Sequence, residues 1–334
     1  MADLIKDHTY VNPELRKILQ SEPPKGNLDA TTDIYALREL LAKRKKELTD
    51  VHGSSDDALI TEEDHLVPTR DGAHITVRVY RTTNQQDTGP IIVMLHGGGW
   101  VLGGLDNEAL LCRQWCQRYS GVSVNVEYRL APEHKFPTAV YDSHDAVKWT
   151  AAHAATIGGD PRSGFIVAGV SAGASMAAAI SHLYRDEQAQ PPLTGIYLSI
   201  PSLVSPEAVA EKYKPLYSSR VDNANALILN DASMGLFRKL YEDDPHSPLM
   251  SPLNFPSGHR GLPPTYLQVC GSDPLRDDGL LYEQVLREES GVKTRLDLYP
   301  GLPHGFWSWW PQAEFSKQHF RDSVQGLGWL LQQS

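Results

Sequence analysis

Apolar residues along the chain fall into two rhythms. Between Leu59 and Val67, and again between His74 and Arg81, apolar and polar positions alternate on either side of the turn signal Asp71-Gly72, which predicts two half-buried strands. From residue 91 the pattern changes to short strand candidates at 91–96, 122–127, 164–169, 194–199, 264–270 and 294–299, continuously apolar at 91–95 and 165–168 and separated by stretches of helical period. Strands that are apolar on both faces must be covered on both faces. The alternation therefore predicts an α/β fold: a central, mostly parallel, eight-stranded sheet with helices on each side.

Two stretches depart from this rhythm. Residues from about 10 to 50 have helical spacing, centred on Tyr35-Ala36-Leu37-Arg38-Glu39-Leu40-Leu41, with the basic run Lys43-Arg44-Lys45-Lys46 beyond it, which reads as a solvated helix face. Residues 201–255 carry helical patterns at Glu207 to Tyr213 and Ala232 to Tyr241, then Pro245, Pro248, Pro252 and Pro256. An insertion there would open at the carboxyl ends of the strands, where open α/β sheets bind ligands. The expected organisation is an N-terminal helical cap segment at 1–55, a first part of the core at 56–200, a cap insertion at 201–255 and a second part of the core at 256–334.

Composition narrows the function classes. With 334 residues and 41% hydrophobic content the chain can bury one large core, and a net charge of -10 argues against nucleic acid or an anionic membrane surface as the main partner. Its three cysteines, Cys112, Cys116 and Cys270, are too few for a disulfide scaffold and suit a reducing compartment. Cys112 and Cys116 lie one helical turn apart with no nearby residue to complete a metal set, and read as buried thiols. The first eight residues have no apolar core of a secretory signal, no apolar stretch is long enough to cross a bilayer, and the last four match no address signal, so a cytoplasmic location is expected.

The candidate chemistry starts at Gly169-Val170-Ser171-Ala172-Gly173, directly after the apolar run Phe165-Ile166-Val167-Ala168 and before the small residues Ala174 to Ile180. This is strand, sharp turn and helix with a serine at the apex, and a turn so tight needs residues without bulk on both sides. A serine hydroxyl is protonated at neutral pH and needs a base, itself oriented by a carboxylate, as well as N–H donors for the oxyanion. His96-Gly97-Gly98-Gly99-Trp100 follows the apolar run at 91–95 and could turn bare N–H groups toward a substrate oxygen. Asp273 lies just past the run at 266–270, with Asp277 and Asp278 as rivals, and His304 lies in a Gly/Pro-rich loop past the run at 294–299. The order Ser171, Asp273, His304 is that of α/β-hydrolases.

The glycine loop at His96, YRLAPEHKFP from Tyr128, GVSAGA from Gly169, SDPLRDDG from Ser272 and LPHGFW from Leu302 together resemble the hormone-sensitive-lipase family of α/β-hydrolases, over residues 96–306. The resemblance implies an α/β-hydrolase fold with a helical cap, Ser171 as nucleophile, Asp273 as acid and His304 as base. It further implies an oxyanion hole made by the N–H groups of Gly98, Gly99 and Ala172. Many members have Asp and Gly where this chain has Val170 and Ala174, a departure more similar to esterases of fungal metabolism than to bacterial lipases. Glu133 and His134 are then expected to fix a loop, and His96 to shape the glycine loop.

The expected activity is hydrolysis of carboxylic esters with small to medium acyl groups, by a mechanism that requires no metal or cofactor. Acyl transfer, lactone hydrolysis or another tailoring step in secondary-metabolite biosynthesis is the alternative. A ligand receptor on a hydrolase scaffold, known in this family from the plant gibberellin receptors, would be expected to have a damaged triad. The expected partner is a small-molecule ester, and a homodimer is left open. Trp100, Met234, Phe237, Tyr241, Phe306 and Trp307, with Leu240, Trp309 and Trp310, are candidate pocket walls, and each could equally pack the core.

Overall fold

The computed structural model describes residues 5–21, 28–51, 59–83 and 88–333. Its sheet contains β1 (Ile60–Pro68), β2 (His74–Thr82), β3 (Ile91–Leu95), β4 (Val122–Glu127), β5 (Phe165–Val170), β6 (Gly195–Ser199), β7 (Thr265–Ser272) and β8 (Thr294–Pro303). They lie in the order β1-β2-β4-β3-β5-β6-β7-β8. Both pairings of β2 are antiparallel, and the remaining five pairings are parallel.

Side-chain alternation assigns each strand residue to a layer. Ile91, Val93 and Leu95 of β3, with Phe165 and Val167 of β5, belong to one apolar cluster, which also takes in Ala177, Ala178 and Ile180 of the helix Ala172–Asp186 and Val140 and Val147 of the helix Thr138–His153. Ile92, Met94, Ile166 and Ala168 point the other way, onto Cys112 and Trp115 of the helix Ala109–Tyr119 and Leu327 and Leu330 of the helix Glu314–Leu331. Fully burying side chains of this size stabilises by about 1.5–3 kcal/mol each, so a strand apolar at every position is held from both faces. The three cysteines are buried and unbridged.

The expected helical stretch from 10 to 50 is two helices among the described residues, Pro13–Ser21 and Ile34–Val51. The basic run sits on the second helix, but the side chains of Arg44, Lys45 and Lys46 lie outside the described residues. The helix expected at Glu207 to Tyr213 is instead two short 3-10 turns, Pro206–Ala208 and Glu211–Leu216. Pro215 supplies the reason, because it has no N–H to donate and disfavours helical backbone in the residue before it. The second stretch forms as expected, as Asp231–Tyr241, and Asn230 and Ser233 make a reciprocal cap at its start. Among the described residues no helix is long and apolar enough to cross a membrane.

Candidate active site

β5 runs directly into Ser171, whose φ of 53° and ψ of -116° would cost a non-glycine residue about 1–3 kcal/mol if nothing held it. The glycines on each side make the turn feasible. A Cβ on Gly169 would lie 2.3 Å from the carbonyl carbon of Gly173, and one on Gly173 would lie 2.1 Å from the carbonyl oxygen of Leu95. The bend therefore brings β5, the start of the next helix and the end of β3 into backbone contact. Ser171 N–H donates to the Ser199 carbonyl at 2.8 Å, and the Ser171 carbonyl accepts from the N–H and Oγ of Ser175 at 3.0 and 3.2 Å. Ser175 Oγ also accepts from Ser202 N–H at 3.2 Å, which ties the turn to the chain leaving β6.

β7 leads into Asp273 and β8 ends one residue before His304. His304 Nε2 lies 2.9 Å from Ser171 Oγ, and Nδ1 lies 2.7 Å from Asp273 Oδ2. A carboxylate can only accept, so Nδ1–H donates to Asp273 and leaves Nε2 to accept from the serine hydroxyl. Asp273 is 1% exposed and His304 8%. The second carboxylate oxygen of Asp273 accepts from Leu275 N–H at 2.8 Å, and the Asp273 carbonyl accepts from Asn223 Nδ2 at 3.1 Å. No sequence motif singles out Asn223, whose role depends on how the segment between β6 and β7 folds back.

The rival carboxylates hold that same segment. Asp277 accepts from the N–H groups of Ser218 and Ser219, both at 2.8 Å, and pairs with Arg276. Asp278 accepts from Leu203 N–H at 2.8 Å, Val204 N–H at 3.2 Å and Tyr217 Oη at 2.8 Å, and pairs with Arg220 at 3.2 Å. Burial raises the Asp278 carboxyl above its ordinary range against the opposing pull of Arg220.

The glycine loop lies alongside the serine, since a Cβ on Gly97 would be 3.5 Å from Ser171 Cβ. Gly98 and Gly99 have φ of 128° and 60°, and the Gly98 carbonyl accepts from Val101 and Leu102 N–H at 3.1 and 2.8 Å. Ala172 opens the helix after the serine, where the first N–H groups have no acceptor inside the helix. His96 lies behind the loop, its Nδ1 2.8 Å from the Gly97 carbonyl oxygen, with Tyr128 stacked on its ring at 4.1 Å and donating to the His96 carbonyl at 2.7 Å. Glu133 pairs with Arg38 at 2.6 Å. His134 N–H donates to the Leu130 carbonyl.

The candidate pocket residues separate into two groups. Phe237 lies over the glycine loop, since a Cβ on Gly99 would be 2.5 Å from its ring. Met234, one turn earlier on the same helix, is partly buried and accepts from Arg220 Nη1 at 2.8 Å through its sulfur. Trp100 stacks on Tyr241 at 4.8 Å with the rings 2° apart. Tyr241 and Phe306 are 1% and 0% exposed, so each packs almost wholly against other side chains, the core-packing reading of the two. Gly305, at φ 63°, turns Phe306 into a cluster with Tyr299, Leu302, Phe315 and Leu15. Trp307 follows it, stacking on His319 at 3.7 Å. Trp310 meets Phe315 edge-on, whereas Trp309 is 49% exposed.

Among the described residues no group of three or more His, Cys, Asp or Glu side chains could hold a metal ion. A sheet of this order, with serine, histidine and aspartate in contact beyond its strand ends, defines the α/β-hydrolase class. Residues 92–308 match a family model described as alpha/beta hydrolase fold. An AB hydrolase superfamily protein of Schizosaccharomyces pombe is 37% identical over 97% of this chain and 94% of its own. A versiconal hemiacetal acetate esterase of Dothistroma septosporum is 38% identical over 78% of this chain and 79% of its own. The solved structure of vibralactone cyclase superposes with a TM-score of 0.87 at 32% identity, covering 96% of this chain and 95% of that one. The chain belongs to the alpha/beta-hydrolase family, in its hormone-sensitive-lipase and carboxylesterase branch.

Proposed function

We propose that the protein is a serine hydrolase that cleaves carboxylic esters through an acyl-enzyme on Ser171. That it is an ester-hydrolysing enzyme accords with the esterase names its relatives carry. The observation that carries the mechanism is the unbroken contact from Ser171 through His304 to Asp273, at 2.9 and 2.7 Å. His304 Nε2 takes the hydroxyl proton as Ser171 Oγ attacks the ester carbonyl, and Asp273 stabilises the imidazolium that forms. The N–H groups of Gly98, Gly99 and Ala172 receive the oxyanion, where loss of one donor costs about 10²–10³ in turnover. His304 then protonates the departing alcohol, and water deprotonated by His304 releases the acid.

In this reading the helices within residues 1–55 and the insertion at 201–255 form a cap over the core at 56–200 and 256–334. The contacts of Phe237 with the glycine loop and of Tyr241 with Trp100 support it. With the Phe237 ring over Gly99, room beside the oxyanion donors is limited, which favours small to medium acyl groups. Ser171→Ala should lower hydrolysis of a panel of activated esters by about 10⁴-fold or more and abolish labelling by a fluorophosphonate. Retained labelling or turnover would overturn the assignment.

A second outcome for the same acyl-enzyme is capture by a hydroxyl in place of water, giving a lactone or a new ester. The likeness to vibralactone cyclase favours testing it. Product analysis with hydroxy-acyl esters and added alcohols separates the two, because only free acid in every reaction leaves hydrolysis alone.

A further inference from the structure

Arg38, on the N-terminal helix Ile34–Val51, reaches the stretch of chain that carries the glycine loop. Its Nε–H donates to the Val101 carbonyl at 2.9 Å, its Nη2–H donates to the Ala131 carbonyl, and Nη1 pairs with Glu133 at 2.6 Å. These contacts span 63, 93 and 95 residues of sequence. The Trp100 carbonyl, between the glycines and Val101, accepts from Ala131 N–H at 2.9 Å. One planar guanidinium therefore closes a second link between two main-chain segments that are already joined at Trp100. Val101 and Ala131 are both 0% exposed, so their carbonyl oxygens depend on internal donors. Val101 N–H in turn donates to the Gly98 carbonyl, which makes Val101 the far end of the turn that orients Gly98 and Gly99. Trp100 within that turn has a φ of 61°, a conformation that needs support from its surroundings.

We propose that Arg38 is a positioning residue for the oxyanion-binding N–H groups, fixing the Gly98 to Val101 turn from the N-terminal helix. The proposal rests on the reading of Ser171 as nucleophile and of Gly98 and Gly99 as oxyanion donors. Arg38 itself touches the loop's backbone, and acts through it. A fork of fixed geometry sets the separation of two carbonyls, which a single ammonium cannot do. A misplacement of about 1 Å in such a site can cost about 10²-fold in rate. The loss falls on the chemical steps, since the oxyanion exists only in the tetrahedral intermediates and the transition states that flank them.

Arg38→Met, Arg38→Lys and Glu133→Gln test this on the full chain, with kcat, KM, melting temperature and affinity for a trifluoromethyl ketone that adds Ser171 to form an oxyanion. Arg38→Met should lose about 10- to 100-fold in kcat and in ketone affinity, with KM within about twofold of wild type. Arg38→Lys should fall between the two, and Glu133→Gln should stay within about twofold because both carbonyl contacts persist. Wild-type kcat in Arg38→Met, a loss confined to KM, or an equal loss in Glu133→Gln would overturn the proposal. Should Arg38→Met not fold, Arg38→Lys against Glu133→Gln reads the same difference. Failure of the underlying reading appears separately, as turnover that survives in Ser171→Ala with Arg38 intact.

Discussion

Asp273 holds His304 with only one of its carboxylate oxygens: Oδ2 lies 2.7 Å from Nδ1, while Oδ1 accepts from Leu275 N–H at 2.8 Å. The second bond fixes the rotation of the carboxylate, so the first fixes the imidazole. In Asp273→Asn the amide oxygen can keep the Leu275 bond, which turns the NH2 group toward Nδ1. That stabilises the tautomer with its proton on Nε2, facing Ser171, where the proposed mechanism requires a base. The expected result is a fall in kcat of about 10⁴-fold with little change in melting temperature. A variant that keeps kcat within tenfold would show that another group orients His304.

Asp278 should respond in the opposite sense. It is buried opposite Arg220 at 3.2 Å and also receives two backbone N–H groups and the Tyr217 hydroxyl. Asp278→Ala leaves the half-buried Arg220 guanidinium without its carboxylate and the N–H groups of Leu203 and Val204 without their acceptor, a change of about 3 kcal/mol. Denaturant unfolding should reveal that loss. The folded fraction, titrated with a fluorophosphonate, should retain a reactive serine. Removing both charges, as Arg220→Met with Asp278→Leu, should recover part of the stability. Equal stabilities in the single variant and wild type would refute the structural role.

How much of this was readable from residues alone follows from how local each signal is. β3 and β5 are legible because they are apolar along their length, and Ser171, Asp273 and His304 because each comes just past the end of a strand. Phe306 and Trp307 were ambiguous by the same logic: both follow His304, yet the turn at Gly305 aims Phe306 away from any open space. Asn223 and Arg38 carried no signal. Their partners, Asp273 and Val101, lie 50 and 63 residues away, and only the folded path brings them together. At Glu207 to Tyr213 the apolar spacing fits a helix, whereas Pro215 breaks the backbone pattern that a helix needs.

Two glycines in the site should fail for different reasons. A Cβ on Gly173 would strike the Leu95 carbonyl oxygen at 2.1 Å, and backbone at the end of a central strand cannot move aside. Gly173→Ala should therefore cost stability and activity together, and no neighbouring side-chain change should rescue it. On Gly99 the Cβ would meet the Phe237 ring at 2.5 Å, and the φ of 60° adds about 1–2 kcal/mol of backbone strain. Gly99→Ala should lose turnover, and Gly99→Ala with Phe237→Ala should regain part of it. Melting temperatures and kcat for the four variants, with Phe237→Ala alone as reference, decide the point. Failure of the second change to help Gly99→Ala would mean that backbone strain, and not the ring, sets the limit.

His319 gives the fold an acid-sensitive point beneath the histidine loop. It lies stacked on Trp307 at 3.7 Å and edge-on to Phe306, and its Nε2 has no hydrogen-bond partner among the described residues. Burial pushes its imidazole down to about 3, well below the value of about 6.5 expected in the unfolded chain. The unfolded state therefore binds a proton that the native state refuses. Stability from this group is fully present above about pH 6.5 and is lost as pH falls toward 3, at up to about 1.4 kcal/mol per pH unit. His182, pushed down to about 2 by burial and by its neighbour His259, adds a slope of the same sign. His319→Phe keeps a ring against Trp307 and removes one titrating group. Urea midpoints at pH 7.5, 5.5 and 4.5 should fall less steeply for this variant than for wild type, with the two closest at pH 7.5. Parallel slopes would show that His319 takes up its proton without unfolding the cluster around it.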